Sequence, residues 1–181
     1  MKHPTKAPAS YAPWHCVICA VDPGEHAGVS VWVSGKLEHH AKITHPNDVI
    51  GMAWMIAEHR HLPLVFVIEK HSPYGKWSHN TKEGMGRYVG RWLDAIEQLP
   101  KRRPTTKVLR VLPQTWRAKV FSGIGPHCTT ARWKQLALLL ANEYRTKGSP
   151  MIESPDEAES LLIGKFACYW PEVGKLPGIK A

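Results

Sequence analysis

Hydrophobic and polar positions along the chain fall into short runs, and two of these runs end the same way. Val17-Ile18-Cys19-Ala20-Val21 is a continuous apolar stretch, the pattern of a strand covered on both faces, and it closes on Asp22 followed at once by Pro23-Gly24. Gly28 opens a second run, Val29-Ser30-Val31-Trp32-Val33, which alternates with period two and ends in a Ser34-Gly35 turn. A third run covers Leu37 to Ile43, so the three together predict a β-meander. Asn47 or Asp48 is placed to cap a helix carrying Ile50, Trp54, Ile56 and Ala57, which Arg60-His61-Leu62-Pro63 would end. Leu64-Val65-Phe66-Val67-Ile68 then repeats the opening pattern and also stops at a carboxylate, Glu69.

Continuous apolar strands separated by a helix imply parallel neighbours covered on both faces. A right-handed crossover lays the second beside the first, and at a strand spacing of about 4.8 Å their ends bring Asp22 and Glu69 together. The aperiodic stretch from Lys70 to Lys82 reads as a loop leaving that end of the sheet, where ligand-binding loops gather in α/β proteins. A helix from Gly84 to Gln98 follows, with Met85, Tyr88, Val89, Trp92, Leu93 and Ile96 on one stripe and Gly86 and Gly90 open to a close neighbour. Lys107 to Leu112 is a further strand. Pro113 starts a short helix that Gly123-Ile124-Gly125-Pro126 breaks, and Thr130 to Tyr144 is a longer one. The last helix has a firm start, with Ser154 as N-cap, Pro155 at the first position and Glu157 closing a capping box. In that frame Asp156, Glu159, Ile163 and Ala167 share one side, and Glu157 points elsewhere.

Charge changes the picture. Lys and Arg number 24 against 15 Asp and Glu, a formal +9, which on a chain of one-domain size argues for a polyanionic partner, nucleic acid first. A solvated basic surface without a partner is the plainer alternative. The basic residues gather in Lys101-Arg102-Arg103, Lys107, Arg110, Arg117, Lys119, Arg132, Lys134, Arg145 and Lys147. No apolar run is long enough to span a membrane, and the basic start Met1 to Lys6 has no apolar stretch behind it, so it reads as a loose tail. Cys16 and Cys19 would face opposite sides of a sheet and are read, with Cys128 and Cys168, as free thiols of a cytosolic protein. The expected division is a flexible tail over 1–15, one domain over 16–172 and a C-terminal tail over 173–181.

Asp22 alone could simply cap its Pro-Gly turn, and acids at a helix start favour its dipole. Four carboxylates converging in a basic protein are a different matter. Asp22, Glu69, Asp156 and Glu159 would repel and could not all stay ionised without a cation. Magnesium or manganese, bound by carboxylate and phosphate oxygens, is the natural partner. Two such ions about 4 Å apart can activate water and stabilise a leaving 3′-oxygen.

Ala20-Val21-Asp22-Pro23-Gly24 with Gly28, the strand-terminal Glu69, Gly123-Ile124-Gly125, and Asp156-Glu157-Ala158-Glu159 running on to Gly164 resemble, in order and spacing, the motifs of RuvC-type Holliday-junction resolvases. The resemblance spans residues 16 to 170. It implies an α/β, RNase H-like fold with a five-stranded mixed sheet of order 3-2-1-4-5, a homodimer, and paired symmetrical nicking of four-way DNA. It also implies Asp22, Glu69, Asp156 and Glu159 as the ligands of two magnesium or manganese ions. Lys119, Arg132 and Lys134 match the family's phosphate-contacting lysines loosely. Two departures stand out: Glu159 replaces the Asp usual in bacterial members, and no aromatic follows Glu69 directly, the nearest being Tyr74 and Trp77. These two are the candidates to stack on an exposed junction base. A divergent, phage-encoded member acting in the bacterial cytoplasm fits those departures. The rival readings are a nuclease of the same fold acting on RNA or RNA–DNA hybrids, and a non-catalytic branched-DNA-binding protein. An actin-like kinase would need a second lobe for which the chain has no room.

Overall fold

The two apolar runs that end in carboxylates lie side by side. In the computed structural model, which describes residues 13–70, 79–101, 104–122, 129–145 and 150–180, β1 (Val17–Asp22) pairs in parallel with β4 (Leu64–Glu69), with Val17 opposite Leu64 and Val21 opposite Ile68. The next step of that register sets Asp22 beside Glu69. On its other side β1 pairs antiparallel with β2 (Ala27–Val33), and β2 with β3 (Lys36–Ile43). Ser34 and Gly35 both take positive φ, 47° and 81°, the two-residue turn that matches strand twist. β5 (Thr106–Val111) adds in parallel to β4, so the sheet order is β3-β2-β1-β4-β5, as expected.

Alternation along the strands then decides which side holds what. Val17, Cys19, Val21, Leu64, Phe66 and Ile68 face α1 (Asn47–His59) and α2 (His79–Glu97). Ile18, Ala20, Val65 and Val67 face the other core, built by α3 (Pro113–Val120), α4 (Thr130–Tyr144) and α5 (Pro155–Ala167). Asp22 and Glu69 continue this second parity, so both carboxylates are directed to the side of α5. Cys16 and Cys19 fall in opposite cores as expected, and Cys16, Cys19 and Cys168 are free and buried. Burial pushes all three thiols up to about 12. Cys128 lies outside the described residues.

Several boundaries differ from expectation. Neither Asn47 nor Asp48 caps α1: Pro46, already in the α region at φ −53°, is the N-cap and makes no side-chain cap bond. The proline ring fixes a helical φ one residue early, leaving Asp48 in the first turn where the dipole favours it. α2 begins at His79 rather than Gly84, so the end of the expected loop is helical. Its first turns carry no apolar period in sequence to betray them, and an ion pair between exposed Glu83 and Arg87, one turn apart, lies further along. Of the α2 stripe, Val89, Trp92 and Ile96 are buried in the chain's own core, while Gly86 and Gly90 have nothing near them. Residues 13–15 pack against the segment 168–180: His15 N donates to Lys180 O, Trp14 Nε1 donates to Trp170 O, and Val173, in the short α6 (Pro171–Gly174), is fully buried.

α5 is the least ordinary element. Ala158 through Gly164 are all buried, and the helix lies directly on β2 at two glycines. A Cβ on Gly28 would sit 1.9 Å from the carbonyl oxygen of Asp156, and one on Gly164 would meet the indole of Trp32 and the hydroxyl of Ser30. Between them Ser30 Oγ donates to Ser160 O at 2.8 Å and accepts from Trp32 Nε1 at 3.0 Å. Leu161, Leu162 and Ile163 are 0 % exposed. Each contributes about 1.5–3 kcal/mol of burial, enough together to hold the helix down against the cost of the acid it carries inward.

Gly28→Ala is therefore expected to lower stability by about 1–3 kcal/mol or more, because the clash is with backbone that cannot rotate away. Gly51→Ala, in α1 where nothing lies within 4 Å, should leave it unchanged or raise it by up to about 1 kcal/mol. Urea unfolding midpoints of the two variants read the difference, and equal midpoints would show that α5 does not need the bare glycine.

Candidate active site

Two strands and two helices deliver the site. β1 and β4 end in Asp22 and Glu69, and α5 supplies Glu159 from its second turn. Ser154 caps that helix, its hydroxyl accepting from Glu157 N at 3.5 Å. The other half of the expected capping box does not form. The Glu157 carboxylate turns instead to His40 Nδ1 on β3, at 2.5 Å, tying the first turn of α5 to the far strand of the meander.

Asp22, Glu69 and Glu159 each offer a carboxylate oxygen within 4.8 Å of the others. Glu69 is 5 % exposed and Glu159 6 %. Asp156 stands outside this trio. Its side chain is 37 % exposed and lies 3.7 Å from Lys134 Nζ of α4, because residues three apart on a helix are still displaced by about a sixth of a turn. The shared inward side expected for Asp156 and Glu159 thus holds for Glu159, with Asp156 at the rim. Asp156 remains close enough to be felt, since its charge helps hold the Asp22 carboxyl well above the usual carboxylate range, after burial, Glu69 and Glu159.

Two residues that the sequence reading did not assign to the site hold its acids in place. Trp116 and Arg117 follow Pro113 at the start of α3, one turn beyond the end of β5, and so open on the same sheet end. Trp116, fully buried, donates from Nε1 to Glu69 Oε2 at 2.5 Å. Arg117 Nη2 donates to Glu159 Oε2 at 2.8 Å, and its guanidinium lies 5.1 Å from the centre of the Trp116 ring. The available signal was position: a Trp-Arg pair just past a parallel strand whose neighbour ends in a carboxylate. Burial raises Glu69 from its ordinary 4.5 to about 7, partly offset by the Arg117 charge and the Trp116 bond.

Of the expected phosphate contacts, Lys119 on α3 and Arg132 and Lys134 on α4 are exposed, with Lys134 at the rim beside Asp156. Tyr74 and Trp77 lie outside the described residues, as do Gly123-Ile124-Gly125, Arg102, Arg103 and Lys147. The donor set is oxygen only, largely buried and, among the described residues, short of positive charge, with one guanidinium against three carboxylates. Such a set fits a hard divalent cation, and the three acids are placed to hold one. Among the described residues no helix is long and apolar enough to cross a membrane.

No protein-family profile matches the sequence, and no curated protein matches it. The five-stranded mixed sheet in this order, flanked by helices, is the RNase H-like fold. Solved structures that share it include two of RuvC. Thermus thermophilus RuvC in complex with a Holliday junction substrate superposes with a TM-score of 0.57 over 88% of this chain and 97% of that one, at 15% identity. Thermus thermophilus RuvC in a second structure gives 0.55 over 87% and 96%, at 16% identity. At such identity the likeness establishes the fold.

The raised carboxyls fix the sign of a pH effect. Folded Glu69 keeps its proton up to about 7, while the unfolded chain releases it near 4.5. The associated stability is complete below 4.5 and is lost as pH rises through about 7. In EDTA the melting temperature is expected to fall over that interval, and Glu69→Gln, which cannot ionise, should flatten the fall. A slope identical in the two proteins would place the titration elsewhere.

Proposed function

We propose that this protein is a metal-dependent endonuclease of branched DNA that resolves four-way junctions by paired symmetrical nicks. The observation that carries this reading is the trio Asp22, Glu69 and Glu159, converging at one end of the sheet on a fold shared with a RuvC seen in complex with a Holliday junction substrate. The formal charge of +9 supports a polyanionic substrate.

Asp22, Glu69 and Glu159 would hold divalent magnesium or manganese, with Asp156 joining from the rim. When bound, the metal supplies an acidified water and positive charge at the leaving 3′-oxygen. The protein's own groups do the rest. Trp116 keeps the Glu69 carboxylate in one orientation, and the Gly28 contact fixes the depth to which α5 carries Glu159. Lys134, Lys119 and Arg132 present positive charge at and beyond the rim for flanking phosphates, contacts that position a backbone without reading bases. Tyr74 and Trp77 are the proposed stacking residues for an exposed base, in a site of a cytoplasmic enzyme.

Asp22→Asn, Glu69→Gln and Glu159→Gln, and with them Asp156→Asn, are each expected to lower cleavage of a synthetic four-way junction on the order of a hundredfold or more. Junction binding should be intact or tighter, since removing negative charge cannot weaken attraction to phosphate. Matched linear duplex and RNA–DNA hybrid, tested beside the junction with magnesium or manganese, read selectivity. Equal cutting of the hybrid would overturn the junction assignment, and any variant cutting at the wild-type rate leaves the ligand set.

Paired cutting carries a symmetry requirement. One acid cluster cuts one strand, and the two target strands of a four-way junction are related by a two-fold axis, so a C₂ dimer supplies both sites at once. The open side of α2, with Gly86 and Gly90 bare, is the proposed shared surface. Light scattering should give a particle of twice the 20.4 kDa chain, alone or with junction. A monomer under both conditions would sink the dimer, and a dimer that survives Gly86→Leu with Gly90→Leu would move its interface.

A further inference from the structure

Arg117 stands where a cation is needed. Its Nη2 occupies Glu159 Oε2 at 2.8 Å, Glu159 is 6 % exposed, and the same charge acts on Asp22 and Glu69. Yet the guanidinium is not locked in. Its side chain is 27 % exposed, so a path to solvent exists. Its Nε is buried with no hydrogen-bond partner among the described residues. A planar five-donor group normally satisfies more of its donors when buried. Arg117 is therefore held by charge more than by a completed hydrogen-bond set, and the charge holding it is the trio placed to bind a metal.

We infer that Arg117 is a built-in counter-ion that competes with the divalent cation for Glu159, closing the acid cluster until the metal displaces it. This rests on the metal-binding reading of the trio, and on nothing about DNA. Arg117 and an ion on the same carboxylates repel at a few ångström, so metal binding and the Arg117–Glu159 bond oppose one another by the same factor in both directions. Trp116 beneath the guanidinium keeps the side chain nearby after release, on a face it already covers. In this role Arg117 is a positioning residue, acting through the carboxylate it holds.

The test needs neither substrate nor turnover. Manganese chloride is titrated calorimetrically into the whole wild-type chain, Arg117→Gln and Arg117→Lys, beside melting curves in EDTA. The Gln variant should bind manganese on the order of tenfold more tightly while melting lower in EDTA. The Lys variant, which keeps the charge, should return both values toward wild type. Gln binding no tighter than wild type would overturn the inference, leaving Arg117 an ordinary ion-pair partner. Absence of binding by all three proteins would instead overturn the metal reading, and this inference with it. Should Arg117→Gln not fold in EDTA, wild type alone decides by nitrogen-detected or nitrogen-edited NMR of its arginine side chains. The Arg117 guanidinium resonances, hindered by Glu159 in EDTA, should lose that hindrance at saturating magnesium, and their persistence unchanged would reject displacement.

Discussion

The closeness of α5 to β2 is the constraint on which the site depends. A helix ordinarily rests on a sheet through side chains. Here the first turn of α5 meets β2 backbone to backbone, because Gly28 has no Cβ to hold Asp156 away. Ser30 and Ser160 add a buried hydrogen bond one turn on, and Gly164 admits the indole of Trp32 at the next. Positions two apart on the strand, Gly28, Ser30 and Trp32, thus meet positions four apart on the helix, Asp156, Ser160 and Gly164, with a small residue on at least one side of each contact. That contact sets how far Glu159 reaches toward Asp22 and Glu69, and His40 steadies the same turn from β3 through Glu157.

What the contact assembles is electrostatically unfavourable taken by itself. Burying one uncompensated carboxylate costs several kcal/mol, and here two are nearly inaccessible with a third alongside. The fold answers in three ways. The carboxyls of Asp22 and Glu69 rise toward neutrality, Trp116 donates to one acid, and Arg117 donates to another. All three answers are partial, which is the physical content of calling the cluster a cation site. Three fully buried aliphatic side chains on α5 supply the opposing free energy, so the acids are strained into place by a hydrophobic helix.

The parallel β1–β4 pair and the convergence of Asp22 with Glu69 were legible because each rests on a strong periodic signal closed by a carboxylate, whereas the full sheet order came from the resemblance of the motifs to a known family. The start of α5 was legible from Ser154, Pro155 and the acids after them. Other features were not, for identifiable reasons. Ser30 alternates with valines and reads as a wet face, but that face is covered, and only the pairing with Gly164 and Ser160 explains it. Asp156 and Glu159 differ in depth because a sixth of a turn on the helix carries Asp156 from the inward side to the rim. His79 to Glu83 are helical without an apolar stripe, and Trp116 and Arg117 belong to the site only because β5 runs parallel to β4. Pattern along the chain reports which face a residue takes, and far less well how far along the axis it sits.

The order in which the three central acids occur has a consequence for synthesis. Asp22 and Glu69 precede Glu159 along the chain, and α5 follows the meander and β4. A chain under synthesis therefore holds two of the acids, and an uncovered Gly28 beside the end of β1, before the helix that covers them has been made. Any product that stops short of α5 would be left in that condition. The capacity to gather the cluster arrives with α5, when it settles on Gly28.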